Sequence, residues 1–159
     1  MKRLKEYFDY KGNVSIEDLM SIMTDEWQDY SRNKLFNESS HYEDEARDED
    51  RYLEISAILE FDMPEGTGYS FSNSKVEKEY DKELDKIYDV SRGDIEKYSD
   101  VLSEYEPILL LLSVDLKEKI MYATVDLGNG LSSTEVARER LPDDENSLRK
   151  TIDKMIDSF

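Results

Sequence analysis

The side chains best suited to meeting a phosphate or a base edge gather near the end of the chain. Asn146, Ser147, Arg149, Lys150 and Lys154 lie close together there. Cationic groups neutralise phosphates, while amide and hydroxyl groups bond to phosphate oxygens or base edges. A second set has the opposite sign: Glu43, Asp44, Glu45, Asp48, Glu49 and Asp50 are suited to a basic protein surface. Catalysis has little to work with. His41 is the single histidine and sits in that acidic stretch, and there is no cysteine. Thiolate nucleophiles, Cys-ligated metals and multi-histidine sites are therefore excluded. No GxGxxG or GxxxxGK[ST] phrase occurs, and Asp44 to Asp50 lacks the central glycine of an EF-hand loop. No catalytic residue, cofactor or metal site is assigned, and the chain reads as a non-enzyme.

Four segments must position these residues. In the first, 1–36, a short helix carries Leu4 and Phe8, Gly12-Asn13 stops it, and Ser15 caps a second helix. Ile16, Leu19, Met20, Met23, Trp27 and Tyr30 then recur at helical spacing, which predicts a core-facing stripe. Residues 37–51 are polar and acidic and read as a solvated linker. In 52–106, Leu53, Ile55, Ala57, Leu59 and Phe61 alternate as in a half-buried strand, and 63–68 is a turn. Ser74-Lys75-Val76-Glu77 then reads as a capping box. Val76, Tyr80, Leu84, Ile87 and Tyr88 form one helical stripe, and Ile95, Tyr98, Leu102 and Tyr105 form another. In 107–159, the run Ile108 to Val114 suits a buried strand or a Pro-initiated helix, and Asp115 to Leu127 leans helical.

The net charge is −18, from 39 acids against 21 bases in 159 residues. Such a surface repels nucleic acid and anionic lipid at long range. It is compatible with a DNA mimic, with adaptation to a salt-rich cytoplasm, or with an acidic protein of no special kind. Residues 1–8 contain no apolar h-region, and the longest apolar run, Ile108 to Leu112, is far short of a bilayer span. A cytoplasmic protein with no membrane partner is expected.

The tail carries the most specific pattern. Leu131-Ser132-Ser133-Thr134-Glu135-Val136-Ala137 follows Gly130, with Ser132 and Glu135 spaced as a capping box. After Pro142 to Asn146, Leu148, Ile152, Met155 and Ile156 mark a last helix. Residues 115–156 resemble the helix-turn-helix of sigma-like and winged-helix transcription regulators. Leu4 to Leu19 is similar to the opening of a winged helix. The resemblance implies a trihelical C-terminal subdomain whose third helix enters the major groove. Asn146, Ser147, Arg149, Lys150 and Lys154 would then contact DNA. Two departures stand against it: Leu141-Pro142 replaces the turn glycine, and Asp143, Asp144 and Glu145 stand where phosphates would approach.

The expected fold is thus mainly α with a small β element (α+β), with helical ends and a C-terminal helix-turn-helix. Two functions follow. One is a small acidic DNA-binding transcription regulator, compatible with a homodimer. The other is a DNA-mimic inhibitor that covers a basic nucleic-acid-processing protein through Glu43, Asp44, Glu45, Asp48, Glu49 and Asp50. In size and charge the chain is similar to viral and plasmid-encoded antagonists of that kind.

Overall fold

The computed structural model describes residues 15–34, 41–47, 52–59, 61 and 70–159. The Met- and Trp-bearing stripe winds into helix α1 (Ile16–Lys34), with Asp18 N–H donating to Ser15 Oγ at its start. Leu19, Met20, Ile22, Met23 and Trp27 are all buried. Two strands follow, β1 (His41–Arg47) and β2 (Tyr52–Leu59). Helices α2 (Ser74–Ser91) and α3 (Ile95–Ser103) come next. Strands β3 (Ile108–Asp115), β4 (Ile120–Asp126) and β5 (Ser133–Arg140) lead to helix α4 (Glu145–Asp157).

The strands form one antiparallel meander in the order β1-β2-β3-β4-β5. Period-two alternation gives it two unlike faces. Leu53, Ile55, Ala57 and Leu59 on β2 are buried with Leu110, Leu112 and Val114 on β3 and Met121, Ala123 and Val125 on β4. Register ties these rows together: Ile55 opposes Leu112, and Leu112 opposes Ala123. Against this face lie α1 and α4, which pack on each other and on β2, β4 and β5. Trp27 meets the Phe159 ring edge-on at 5.8 Å, and Ser72 N–H donates to the Phe159 carbonyl at 2.9 Å. Truncating an aromatic buried like Trp27 typically costs about 3–5 kcal/mol. The other face carries Tyr52, Glu54, Tyr122 and Thr124, with Ile58, Leu109, Leu111 and Ile120 only partly buried.

The expectation of a mainly α chain ending in a trihelical helix-turn-helix is overturned. Within 107–159 only α4 is helical. Ile108–Asp115 is a central strand with Ile108, Leu110, Leu112 and Val114 buried on one face and Leu109 and Leu111 half-buried on the other, which accounts for its nearly unbroken apolar run. Asp115 Oδ1 accepts from the N–H groups of Lys117 and Glu118 at 3.0 Å each, and Lys119 at φ 56° completes the turn into β4. The segment read as leaning helical is therefore a four-residue turn, 116–119, followed by strand β4. Its spacing also fits alternation, with Met121, Ala123 and Val125 inward.

The phrase Leu131 to Ala137 fails as a helix start for a tertiary reason. Gly128, Asn129 and Gly130 all take positive φ (63°, 56° and 74°) and fold the chain back onto β4. Ser133 pairs with Asp126 and Arg140 with Ile120, with a register shift at Ala123/Thr124. The linker reading of 37–51 is also corrected, because His41–Arg47 is strand β1 on the edge of the sheet. The first short helix and the 63–68 turn lie outside the described residues. No helix among the described residues is long and apolar enough to cross a membrane.

Candidate functional site

The residues expected to read DNA do share one helix. Asp144 caps α4 by accepting from Ser147 N–H at 2.9 Å, and that bond holds its carboxyl below the ordinary range. Leu148, Ile152, Met155 and Ile156 face the core. Asn146, Ser147, Lys150 and Lys154 are exposed and Arg149 is partly so. Their surroundings are acidic. Arg149 Nη1 lies 2.9 Å from Glu26 Oε1 on α1, and Arg149 Nη2 lies 3.0 Å from Glu145 Oε1. Lys154 Nζ bonds to Glu139 on β5. Two of the three cations are thus held by carboxylates, and the helix entry carries Asp143, Asp144 and Glu145. The arrangement braces α4 against α1 and the sheet.

Ser132, expected to cap a helix, is held by Glu79 on α2. Its N–H donates to Glu79 Oε1 at 2.9 Å, and its hydroxyl donates to Glu79 Oε2. Those donors pull the Glu79 carboxyl below its usual range. Glu79 therefore ties α2 to the start of β5. The cap of α2 is Asn73, one residue before the expected Ser74, with Oδ1 accepting from Lys75 and Val76 N–H. Phe61 packs against Tyr80 and Tyr105, with ring centroids at 5.3 and 4.9 Å. Tyr105 donates to Glu83 Oε1 at 2.8 Å, and burial first, then that carboxylate, push its phenol up to about 12.

On the second face of the sheet, Tyr122 is flanked by Tyr52, Asp115 and Glu54, and burial together with these neighbours raises its phenol. Arg138 stacks at 5.9 Å over that ring while bonding Glu135 at 2.8 Å. Among the described residues, no group of three His, Asp or Glu is arranged to hold a metal ion.

The acids form rows on the α2–α3 pair. Asp81, Asp85 and Asp89 on α2 are spaced i, i+4, i+8, as are Glu96, Asp100 and Glu104 along α3, and all six are exposed. At 1.5 Å rise per residue, neighbours in a row stand about 6 Å apart along the axis. Lys78, Lys82 and Lys86 form a parallel row on α2, with Lys86 3.6 Å from Glu83, but α3 has only Lys97. Of the acids picked out from the sequence, Glu43, Asp44 and Glu45 lie on edge strand β1, where Glu43 is in register with Glu54. Asp48, Glu49 and Asp50 lie outside the described residues.

Sequence reasoning missed the exposure of Tyr88 and Ile95. Both belong to the helical stripes read from spacing, and they are 61% and 80% exposed. A signal was present: Tyr88 follows Ile87 directly, so the two point about 100° apart on a helix, and Ile95 opens α3 immediately after its cap. Comparison with known proteins returns no match: no family model fits the chain, and no curated protein or solved structure is significantly similar to it.

Proposed function

We propose that the protein is an acidic binding protein that covers a basic, nucleic-acid-binding surface of a partner, its carboxylates standing in for phosphates. The observation that carries this reading is the exposed row of Glu96 and Asp100 on α3 and Glu104 at its C-cap, alongside Asp81, Asp85 and Asp89 on α2. Residues 77–106 hold eleven acids against five bases, so the rows lie within a region of one dominant sign. Such a surface steers a basic partner by long-range attraction, and the interaction weakens with salt. DNA reading through α4 is less favoured, because Arg149 and Lys154 are already neutralised by Glu26, Glu145 and Glu139.

The test uses the full chain and a labelled arginine-rich peptide as a stand-in for a basic surface. Anisotropy is followed from about 50 mM to about 1 M salt, where the Debye length falls from about 14 to about 3 Å. One variant neutralises Asp89→Asn, Glu96→Gln, Asp100→Asn and Glu104→Gln. A control neutralises Glu17→Gln, Asp25→Asn, Glu118→Gln and Asp143→Asn. The first set is expected to weaken binding about tenfold more than the second, with no binding of duplex DNA at any salt. Equal losses from the two sets sink the proposal. So does duplex binding that Arg149→Glu/Lys150→Glu abolishes.

A further inference from the structure

Two carboxyl groups meet where α1 and α4 pack on each other. Glu26 on α1 bonds side chain to side chain with Asp153 on α4, and its Oε1 lies 2.9 Å from Arg149 Nη1. Arg149 and Asp153 stand one turn apart on α4, so the Glu26 carboxyl bridges two successive turns of that helix. The contact is shielded from water. Asp153 Oδ1 is closed to solvent, the Glu26 side chain is 15% exposed, and Trp27, the next residue along α1, is buried.

Ionised carboxylates only accept hydrogen bonds, so a bond between two carboxyl groups requires that one of them carry a proton. The surrounding charges favour that state. Arg149 is shared between Glu26 and Glu145. On α4, Lys150 and Asp157 are exposed, and Lys154 is taken by Glu139 of β5. On α1, Asp25 is exposed. The inward residues of β2 and β4, such as Leu53, Ile55, Met121 and Val125, bring no charge. With both carboxyls ionised, Asp153 would face Glu26 across a shielded contact, where like charges repel strongly. Two carboxyls that share a site in this way hold one proton between them above the ordinary carboxyl range. The bond with Asp153, then that with Arg149, holds Glu26 below its usual range against the opposing effect of burial, which leaves the shared proton with Asp153.

We infer that the α1–α4 seam is a proton-operated latch: Asp153 carries a proton that it donates in a hydrogen bond to Glu26, and loss of that proton as pH rises sets two carboxylates against each other and loosens α1 from α4 beside Trp27. Neither carboxyl belongs to the acid rows of α2 and α3, so the latch stands apart from the binding function proposed above. The folded chain keeps this proton at pH values where an unfolded aspartate, with a pKa of about 3.9, has released its own. A folded state that binds protons in excess loses stability as pH rises above that value, until the latch proton has gone. Trp27 is the single tryptophan of the chain and meets Phe159 edge-on at 5.8 Å, so its emission reads the seam directly.

The test uses the full chain from about pH 5 to about pH 9, above the ordinary carboxyl range and below that of tyrosine. An infrared difference spectrum at the lower pH, wild type minus Asp153→Asn, should show one carboxylic-acid carbonyl band that fades as pH rises. Trp27 emission in the wild type should move to longer wavelength over the same interval, the urea midpoint should fall with it, and the emission should return when pH is lowered. Asp153→Asn keeps a donor for Glu26 but cannot ionise, so it should remove the emission shift. Glu26→Gln gives Asp153 an amide donor in place of the shared proton, and it should lose the acid band as well; it serves as the second reference if Asp153→Asn does not fold. Absence of the band from the wild type at the lower pH overturns the latch. So does a Trp27 shift that persists in the variants, or a band whose loss leaves Trp27 emission and the urea midpoint unmoved.

Discussion

Arg149 on α4 reaches Glu26 on α1, Nη1 to Oε1 at 2.9 Å, while its Nε and Nη2 hold Glu145 one turn earlier. The Glu26 side chain is only 15% exposed and that of Arg149 34%. The pair sits at the seam where α1 and α4 pack on each other, partly shielded from water, and a charge-assisted bond there is stronger than a fully exposed ion pair.

Arg149→Glu replaces this clasp with three carboxylates in one place. A hydrogen bond to a charged group is worth about 1.5–3 kcal/mol net. Because Arg149 keeps a third of its surface in water, a loss near the low end is expected. Urea denaturation measures it, with a lower midpoint and an unchanged slope. Arg149→Lys recovers only part, since an ammonium cannot fork between Glu26 and Glu145.

Acid should loosen the tie between α2 and the start of β5. Glu79 is held below its ordinary range by the hydroxyl and N–H of Ser132. A carboxyl whose folded pKa is depressed adds stability that is present above its unfolded value of 4.5, and loses it as pH falls through the folded value. Unfolding free energy should therefore drop below pH 4.5. Glu79→Gln should flatten that drop, and an acid limb as steep as wild type in this variant would refute the assignment.

The alkaline limb belongs to Tyr105. Its phenol is pushed up to about 12 by burial and by Glu83, above the ordinary 10. For a group that is neutral when protonated, this adds stability that is present below pH 10 and lost as pH rises through about 12. Absorbance at phenolate wavelengths should show tyrosines ionising late, Tyr122 among them, and Tyr105→Phe should reduce the amplitude of that late step.

Two glycines in one turn should respond unequally. A Cβ at Gly128 would stand 3.3 Å from Glu106 Oε2 and 3.5 Å from the Pro107 carbonyl, whereas one at Gly130 meets nothing within 4 Å. Both have positive φ, so each alanine variant carries backbone strain of about 1–3 kcal/mol. Gly128→Ala should lower the thermal midpoint further, because it also disturbs the bonds between Asn129 and Glu106 at 2.7 and 3.0 Å.

Some of this molecule is written locally. Leu19, Met23 and Trp27, and likewise Leu148, Ile152, Met155 and Ile156, recur at helical spacing and are buried on α1 and α4. Leu53, Ile55, Ala57 and Leu59 alternate and form β2. These elements were legible because a single face, read at a single period, decides them. The net charge of −18 and the absence of cysteine were equally plain. Strands β1, β4 and β5 were not legible. His41–Arg47 is polar, and Ser133–Arg140 looks like a capped helix, so each is extended only because a neighbouring strand offers its backbone N–H and C=O groups. That pairing is made by hairpin neighbours, Arg47 opposite Tyr52 and Asp126 opposite Ser133, but the side chains of β1 and β5 carry no apolar alternation that announces it. The candidate site divides in the same way. The acids of α2 and α3 fall into rows through helical spacing alone, but the partner of Arg149, the capture of Ser132 by Glu79 and the exposure of Tyr88 and Ile95 were decided by which surfaces met when the helices closed over the sheet.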